Sequence, residues 1–564
     1  MSYPRPNILV PDQSVRWLLV VLLLAGLVVP TVARHVSASQ GTATPVGTPA
    51  PGTPASVPGN GDTDPDLYAG VAPGSRDEVY DETAGTLSRY IIDIAVTPAT
   101  DTTLTTFTGT IDLLFVNTTD RPIDAAVFRL YANDPRYGNG GIAMRDVSVA
   151  GRAEEPELSV ADTVVTIPLE TGLAPGEAIE IGYGFDGEVA NDPAGSYGMF
   201  TYSPGSGTLA LAHWYPVLSG IEPTPDQGWK VEPVSVNGDP IYSDTSLYDV
   251  TVTMPADWKI AASGVEVATG PAGDAVAHQF VTGPSRDFTF VADATLDRIS
   301  QQVGEIEVVS WYNPGDDAGA VAVLAAGVAT LGQYQPLLGE YPFAQLDLVE
   351  VSVGNGAAGI EFPQLVFIGG SYYDEEPVTP PDTSYLESLV VHEVIHQWFY
   401  ALVGNDQYAH GFQDEGLTNY LMTYFYELQY GDAAFEVAYL SQNEIPYLRY
   451  LFSTGDVVTD FPSDEYDPAS DYVIAAYYKG AVAFDAIREA IGDDAFFAGL
   501  QRYVADFRFG VATPADLRAA FEAASGEDLG ELWANWFDEE NGTTDFTPAD
   551  LEADEQRLSE LLAA

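Results

Sequence analysis

Cysteine is absent from this chain of 564 residues. That absence excludes structural disulfides, cysteine-ligated zinc, a thiol nucleophile and a lipidated cysteine anchor, so any metal must be held by histidine and carboxylate. Lysine is nearly absent as well: only Lys230, Lys259 and Lys479 occur, alongside six histidines. With 21 basic against 83 acidic side chains, the formal net charge is −62. A surface of that sign repels phosphate backbones and anionic lipid heads, which excludes nucleic acid as a partner. Adaptation to high salt and descent from a lineage with an acidic proteome both fit this composition. Under either, salt screens the self-repulsion and should stabilise the fold. Apolar material is plentiful, at 46% hydrophobic and 12% aromatic residues. That is enough for several cores, and the length calls for two or three domains.

Arg5 and Arg16 precede an apolar run over residues 17–33, in the order of a signal peptide's charged and hydrophobic regions. Small residues offer exits after Ala33 or Ala38. Seventeen residues is also the lower limit for spanning a bilayer, so residues 1–38 read as a cleaved signal peptide or a retained anchor. Either outcome places the remainder outside the cytoplasm, secreted or tethered to membrane or wall through this segment. Residues 39–84 are rich in Thr, Pro, Gly and Ala and read as a linker.

From 85 to 300 the texture is one of short alternating segments separated by turn residues, such as 90–96, 108–116, 248–254 and 287–291. This pattern predicts an all-β sandwich or saddle. From 301 to 545 helical periodicity takes over, at 318–331 and 384–403 among others, with strands at 346–351 and 365–368. The fold class is therefore multidomain α+β: a β domain followed by an α-rich domain carrying a small sheet. An acidic helix or tail covers 546–564.

The chemistry is concentrated in His392-Glu393-Val394-Ile395-His396. Histidines four apart on a helix share one face, where two imidazoles can meet one zinc. Glu393 lies beside the first ligand, placed to reach a water held by the metal without binding the metal itself. Thr383 and Ser384 can cap the helix start. A catalytic zinc needs a third protein ligand, and Glu415, in Asp414-Glu415-Gly416-Leu417, follows His396 by nineteen positions at the start of a second helix. His213, His278 and His410 read as structural or surface residues.

These residues resemble the aminopeptidase N and leukotriene hydrolase family of gluzincin zinc metallopeptidases, whose signature is His-Glu-x-x-His, eighteen residues, then Glu. The resemblance extends over about 85–540. It implies a β-saddle domain followed by a thermolysin-like catalytic domain and one zinc on His392, His396 and Glu415. The family's Gly-Ala-Met-Glu-Asn segment, whose glutamate binds the substrate's free amino group, is matched by Ala358-Gly359-Ile360-Glu361-Phe362, with Ile and Phe in place of Met and Asn. Gly359 and Glu361 are thereby implied as substrate-binding residues. Its Tyr-x-Lys-Gly motif is matched by Tyr477-Tyr478-Lys479-Gly480, which implies Tyr477 as the oxyanion-stabilising phenol, with Tyr478 as its rival.

The function expected from these readings is zinc-dependent peptide hydrolysis of aminopeptidase type, with Glu393 as general base and peptides or proteins as substrates. Action on internal peptide bonds, on a non-peptide ester or epoxide, or a catalytically idle binding role are the alternatives.

Overall fold

The computed structural model describes residues 61–563, apart from 101, 192–196, 222–227, 236, 355 and 376–377. The expected export segment and most of the linker lie outside the described residues. The remainder of the linker reading needs correction, because the chain is folded from residue 61. A short turn at Pro65–Tyr68 leads to helix α1 (Arg76–Thr83). Tyr68, Val71 and Val79 are buried in the core shared with the helical half of the molecule. Few large side chains occur in this stretch, but those few all point inward, which composition alone does not reveal.

The β region is built on an eight-stranded sheet in which Ser88–Thr97 runs parallel to Ser246–Pro255 and antiparallel to Thr105–Val116. The alternation of buried and exposed residues over Thr105–Leu113 is that of a sheet with one wet face. Two four-stranded sheets pack on it. Between the sheets lies an aromatic cluster in which Trp214 meets Phe107, Phe185 and Phe290 edge-on or tilted.

The helical region contains a five-stranded sheet: Asp297–Val303, Ile306–Tyr312, Gln345–Val351, Leu365–Gly369 and, at its edge, Gly359–Ile360. The strand Asp297–Val303 straddles the domain boundary expected at 300/301 and belongs to this second sheet. Helix α2 (Asp317–Leu338) crosses between the parallel strands Ile306–Tyr312 and Gln345–Val351. Among the described residues it alone is long and apolar enough to cross a membrane, and here it contributes Ala320, Val323 and Leu331 to the core. Helix α3 (Tyr385–Ile395), helix α4 (Glu415–Tyr430), a π-helix at Val473–Lys479 and helix α5 (Gly480–Ile491) surround the site described next. A helix at Pro548–Leu562 closes the chain.

The two regions meet across buried cations. Arg286, on the β side, donates to the carbonyls of Tyr400 (2.7 Å), Leu402 (3.2 Å) and Gly510 on the helical side. Lys230 pairs with Asp406 at 2.7 Å. Asn237, next to Gly238 and Asp239, donates to the Ser463 carbonyl of the helical region at 2.7 Å.

Candidate metal centre

The first two donors stand on α3. Its N-cap is Ser384, whose hydroxyl accepts from the Glu387 amide. The Glu375 carboxylate takes the Tyr385 and Leu386 amides at 2.9 and 2.7 Å, so the orphan N–H groups of the first turn are satisfied by an anion. The helix expected over 384–403 is shorter than the periodicity suggests and ends at Ile395, with His396 as its C-cap. Beyond it the chain turns, and the Gln397 side chain leaves the helical path to accept from the Gln364 amide and donate to the Phe362 carbonyl. His396 retains helical backbone angles, so the four-residue spacing still places both imidazoles together. Its Nδ1 lies 3.0 Å from the Phe399 carbonyl, which can only accept. The proton therefore sits on Nδ1 and the Nε2 lone pair is left for a cation.

Glu415 is the first residue of α4, with Asp414 as N-cap. Glycine at 416 lets α4 approach the π-helix closely: a β-carbon there would lie 2.7 Å from the Ala476 carbonyl and 3.0 Å from the α-carbon of Gly480. That approach brings the Glu415 carboxylate to the imidazole pair. His392 Nε2 and His396 Nε2 are 3.1 Å apart, and Glu415 Oε2 lies 3.2 and 3.3 Å from them. Ligands about 2.0–2.1 Å from a tetrahedral zinc stand about 3.3 Å from one another, so this triangle of two nitrogens and one oxygen fits that ion. The donors also match zinc's preference for imidazole and carboxylate.

Tyr477 stands on the π-helix and donates to the second Glu415 oxygen at 2.5 Å, with its ring stacked 6.0 Å from that of His392. Tyr478, its neighbour on the π-helix, is partly buried against the core. Lys479, fully buried, ties the end of the π-helix to Asp456 and to the carbonyls of Val457 and Glu539. A π-helix inside a helical run is a frequent mark of a functional position.

Glu393 is buried on the next face of α3, pressed against the edge strand at Gly359. Burial pushes its carboxyl up to about 8; His396 opposes this, and Glu415 and Asp239 add to it. Glu361, one residue beyond the edge strand, is likewise pushed up to about 8 by burial, opposed by His396 and reinforced by Glu415, Glu393 and Asp414. Asp414 is raised to about 7, first by burial and then by Glu415. Asp239 arrives from the β region, with a carboxylate oxygen within 4.8 Å of one of Glu361; burial first, then Glu361 and Glu415, hold it well above the carboxylate range. Five carboxyls thus share one enclosed space with two imidazoles. Such an excess of buried negative charge is relieved by cations, and the space next to Glu361 and Asp239 is suited to a positively charged group.

The structure thus brings His392, Glu393, His396, Glu415, Tyr477, Gly359 and Glu361 together. Asp239 was not identified from sequence, and no local pattern could have found it: it is a lone acid between Gly238 and Pro240 whose partners are all on distant segments. Gln407, which donates to Glu361 at 3.4 Å, was missed for the same reason. Phe362, the departure from the family motif, packs edge-on against Phe367 and His213 in the core, away from the metal ligands. Among the other histidines, His213 is buried against Tyr137, while His278 and His410 pair with Glu266 and Asp460.

Comparison with known proteins agrees with this geometry. Residues 328–536 match the peptidase family M1 domain. Aminopeptidase M1 of Arabidopsis thaliana is 24% identical over 257 residues, 44% of this chain and 28% of that protein. Aminopeptidase N of Haemonchus contortus is 23% identical over 385 residues, 65% of this chain and 37% of that protein. The chain therefore spans well under half the length of these relatives. Among solved structures, an M1 zinc metallopeptidase from Deinococcus radiodurans superposes with a TM-score of 0.58 at 18% identity, covering 80% of this chain and 93% of that one. A mutant of that metallopeptidase bound to a Tyr-Ser-Ala substrate gives 0.59 at 18%, with the same coverage. The shared fold has the same order as here, β sheets first and then the helical region. Residues 328–536, which contain both histidines, Glu393, Glu415 and Tyr477, thus match the peptidase family M1 domain.

Proposed function

We propose that this chain is a zinc-dependent aminopeptidase, with one zinc on His392, His396 and Glu415, releasing amino-terminal residues from peptides outside the cytoplasm. The observation that carries the reading is the convergence of three suitably spaced donors, a buried carboxyl on the adjoining helix face, and a second carboxyl pair beside them. Bound to those donors, zinc would polarise the scissile carbonyl and acidify the attacking water. Glu393, buried beside the metal ligands against Gly359, takes the proton of that water and hands it to the leaving amine. Tyr477, whose phenol burial and Glu415 keep protonated, donates to the negative charge that develops on the carbonyl oxygen. Glu361 and Asp239 receive the substrate's ammonium group, which sets the register of cleavage. Placement outside the cytoplasm, by secretion or by a retained anchor, rests on the charged and apolar pattern of residues 1–38.

Two measurements test this. Glu393→Gln keeps the shape of the site and removes the base; it should retain zinc by metal analysis and lose turnover roughly a thousand-fold. Matched peptides with free and acetylated amino termini separate the alternatives, since only the free ones should be cleaved. Equal cleavage of both would favour action on internal bonds. Hydrolysis confined to esters or epoxides would move the substrate class, and a zinc-loaded protein that cleaves none of them would be a binding protein.

A further inference from the structure

Glu361 stands in the loop of a very short hairpin. Gly359 and Ile360 precede it, paired with Ile368 and Phe367, and a strand of two residues is too short to fix the chain beyond it. Phe362-Pro363-Gln364-Leu365 follows, closed by the Leu365 amide, which donates to the Phe362 carbonyl at 3.1 Å. Proline in the second place and a φ of 64° at Gln364 in the third are the marks of a type II turn, whose third place favours glycine. Glutamine in that left-handed region is strained, and such a backbone persists only where its surroundings hold it.

Gln397 supplies that hold. Its side chain is fully buried, and both ends of the carboxamide are spent on this one turn. The oxygen accepts from the Gln364 amide at 2.9 Å and the nitrogen donates to the Phe362 carbonyl at 3.1 Å. Gln397 follows His396 and Phe362 follows Glu361, so a single side chain joins the end of α3 to the backbone beside the Glu361 carboxyl. A ring nitrogen of His396 and a carboxylate oxygen of Glu361 lie within 4.8 Å of each other. A turn displaced by about an ångström would change that separation appreciably, and recognition at a site of this kind is sensitive to shifts of that size.

We propose that Gln397 is a positioning residue for substrate recognition: by clamping the turn at Phe362 and Gln364 to the end of α3, it sets where Glu361 stands relative to the imidazole pair, and with it the affinity for a peptide's amino terminus. Being fully buried, Gln397 acts through the turn and does not itself reach the substrate. An ammonium group far from the scissile bond is held alike before and during reaction, so loss of the clamp raises KM more than it lowers kcat. The assignment rests on the aminopeptidase reading, which makes Glu361 a receiver of that ammonium group.

The test uses leucyl-p-nitroanilide on the zinc-loaded full chain. Gln397→Met keeps the length of the side chain and removes both hydrogen bonds. It should retain zinc by metal analysis and raise KM roughly ten-fold, with kcat changed by less than about three-fold. Glu361→Gln should raise KM as well, and Glu361→Gln/Gln397→Met should be no worse than Glu361→Gln alone, because a residue that works through Glu361 then has nothing left to position. Adding Gln364→Gly to Gln397→Met should recover most of the KM, since glycine holds a positive φ without a clamp. Should Gln397→Met not accumulate as folded protein, Gln397→Glu, which keeps the acceptor and drops the donor, takes its place in both comparisons. An unchanged KM in the Gln397 variant, an effect that multiplies with that of Glu361→Gln, or no recovery with Gln364→Gly overturns the clamp alone. A KM that Glu361→Gln itself leaves unaltered takes down the ammonium-binding reading and the clamp with it.

Discussion

Gly359 has no side chain because Glu393 fills the place where one would be. A β-carbon at 359 would sit 2.6 Å from Glu393 Oε1 and 2.7 Å from its Cγ, well inside contact distance. The Glu393 carboxylate is thus located by a backbone edge, and Gly359→Ala should displace it without touching His392, His396 or Glu415. The expected outcome is full zinc content by metal analysis with turnover lowered at least ten-fold, in keeping with the sensitivity of catalysis to small misplacements. At this scale the sequence was legible wherever the chemistry is local. His392, Glu393 and His396 announce themselves by helical spacing. Glu415 followed from the need for a third ligand at the start of a second helix, Glu361 and Tyr477 needed the family motifs to be noticed, and Asp239 had no signal, because an acid in a loop is ordinarily a solvated one.

Among the elements, the crossing of α4 with the π-helix decides most. Gly416 and Gly480 touch with almost no intervening side chain, and through that contact Glu415 and Tyr477 come within 2.5 Å of each other. Gly416→Ala should force the π-helix away and, like other overpacking changes, destabilise the fold by about 1–3 kcal/mol. It should also lower turnover with zinc retained; denaturation, metal analysis and kinetics read the three effects. Two features of the elements could not be read in advance. The apolar pattern of 384–403 continues past His396, because Trp398 and Phe399 are buried beyond the helix end, so periodicity overran the true terminus. A π-helix leaves no trace in a pattern judged at 3.6 residues per turn.

Across the whole molecule, the scarcity of positive charge becomes informative. In a chain with 21 lysines and arginines, Arg286 and Lys230 lie deep in the seam between the β and helical regions, only 2% and 5% exposed. The charge on the remaining surface is mostly acidic, and its self-repulsion opposes the compact state. The Debye length falls from about 10 Å at 0.1 M salt to about 3 Å at 1 M, which screens surface repulsion while leaving the buried seam pairs largely untouched. The melting temperature should therefore rise as sodium chloride is raised over that range. A fall in melting temperature, followed by calorimetry, would show that exposed ion pairs such as Arg508 with Glu78 and Glu82 outweigh the repulsion.

The order of textures, the exclusion of thiol chemistry and the paired histidines were determined by the amino-acid sequence alone, since each depends on composition or on neighbours within a helical turn. What only the tertiary structure decided is everything that joins distant segments: the folding of residues 61–84 into the core, the contact of α4 with the π-helix and the arrival of Asp239 from the β region. Those relations arise from packing between elements, where a side chain's partners are chosen by proximity in space and carry no periodicity along the chain.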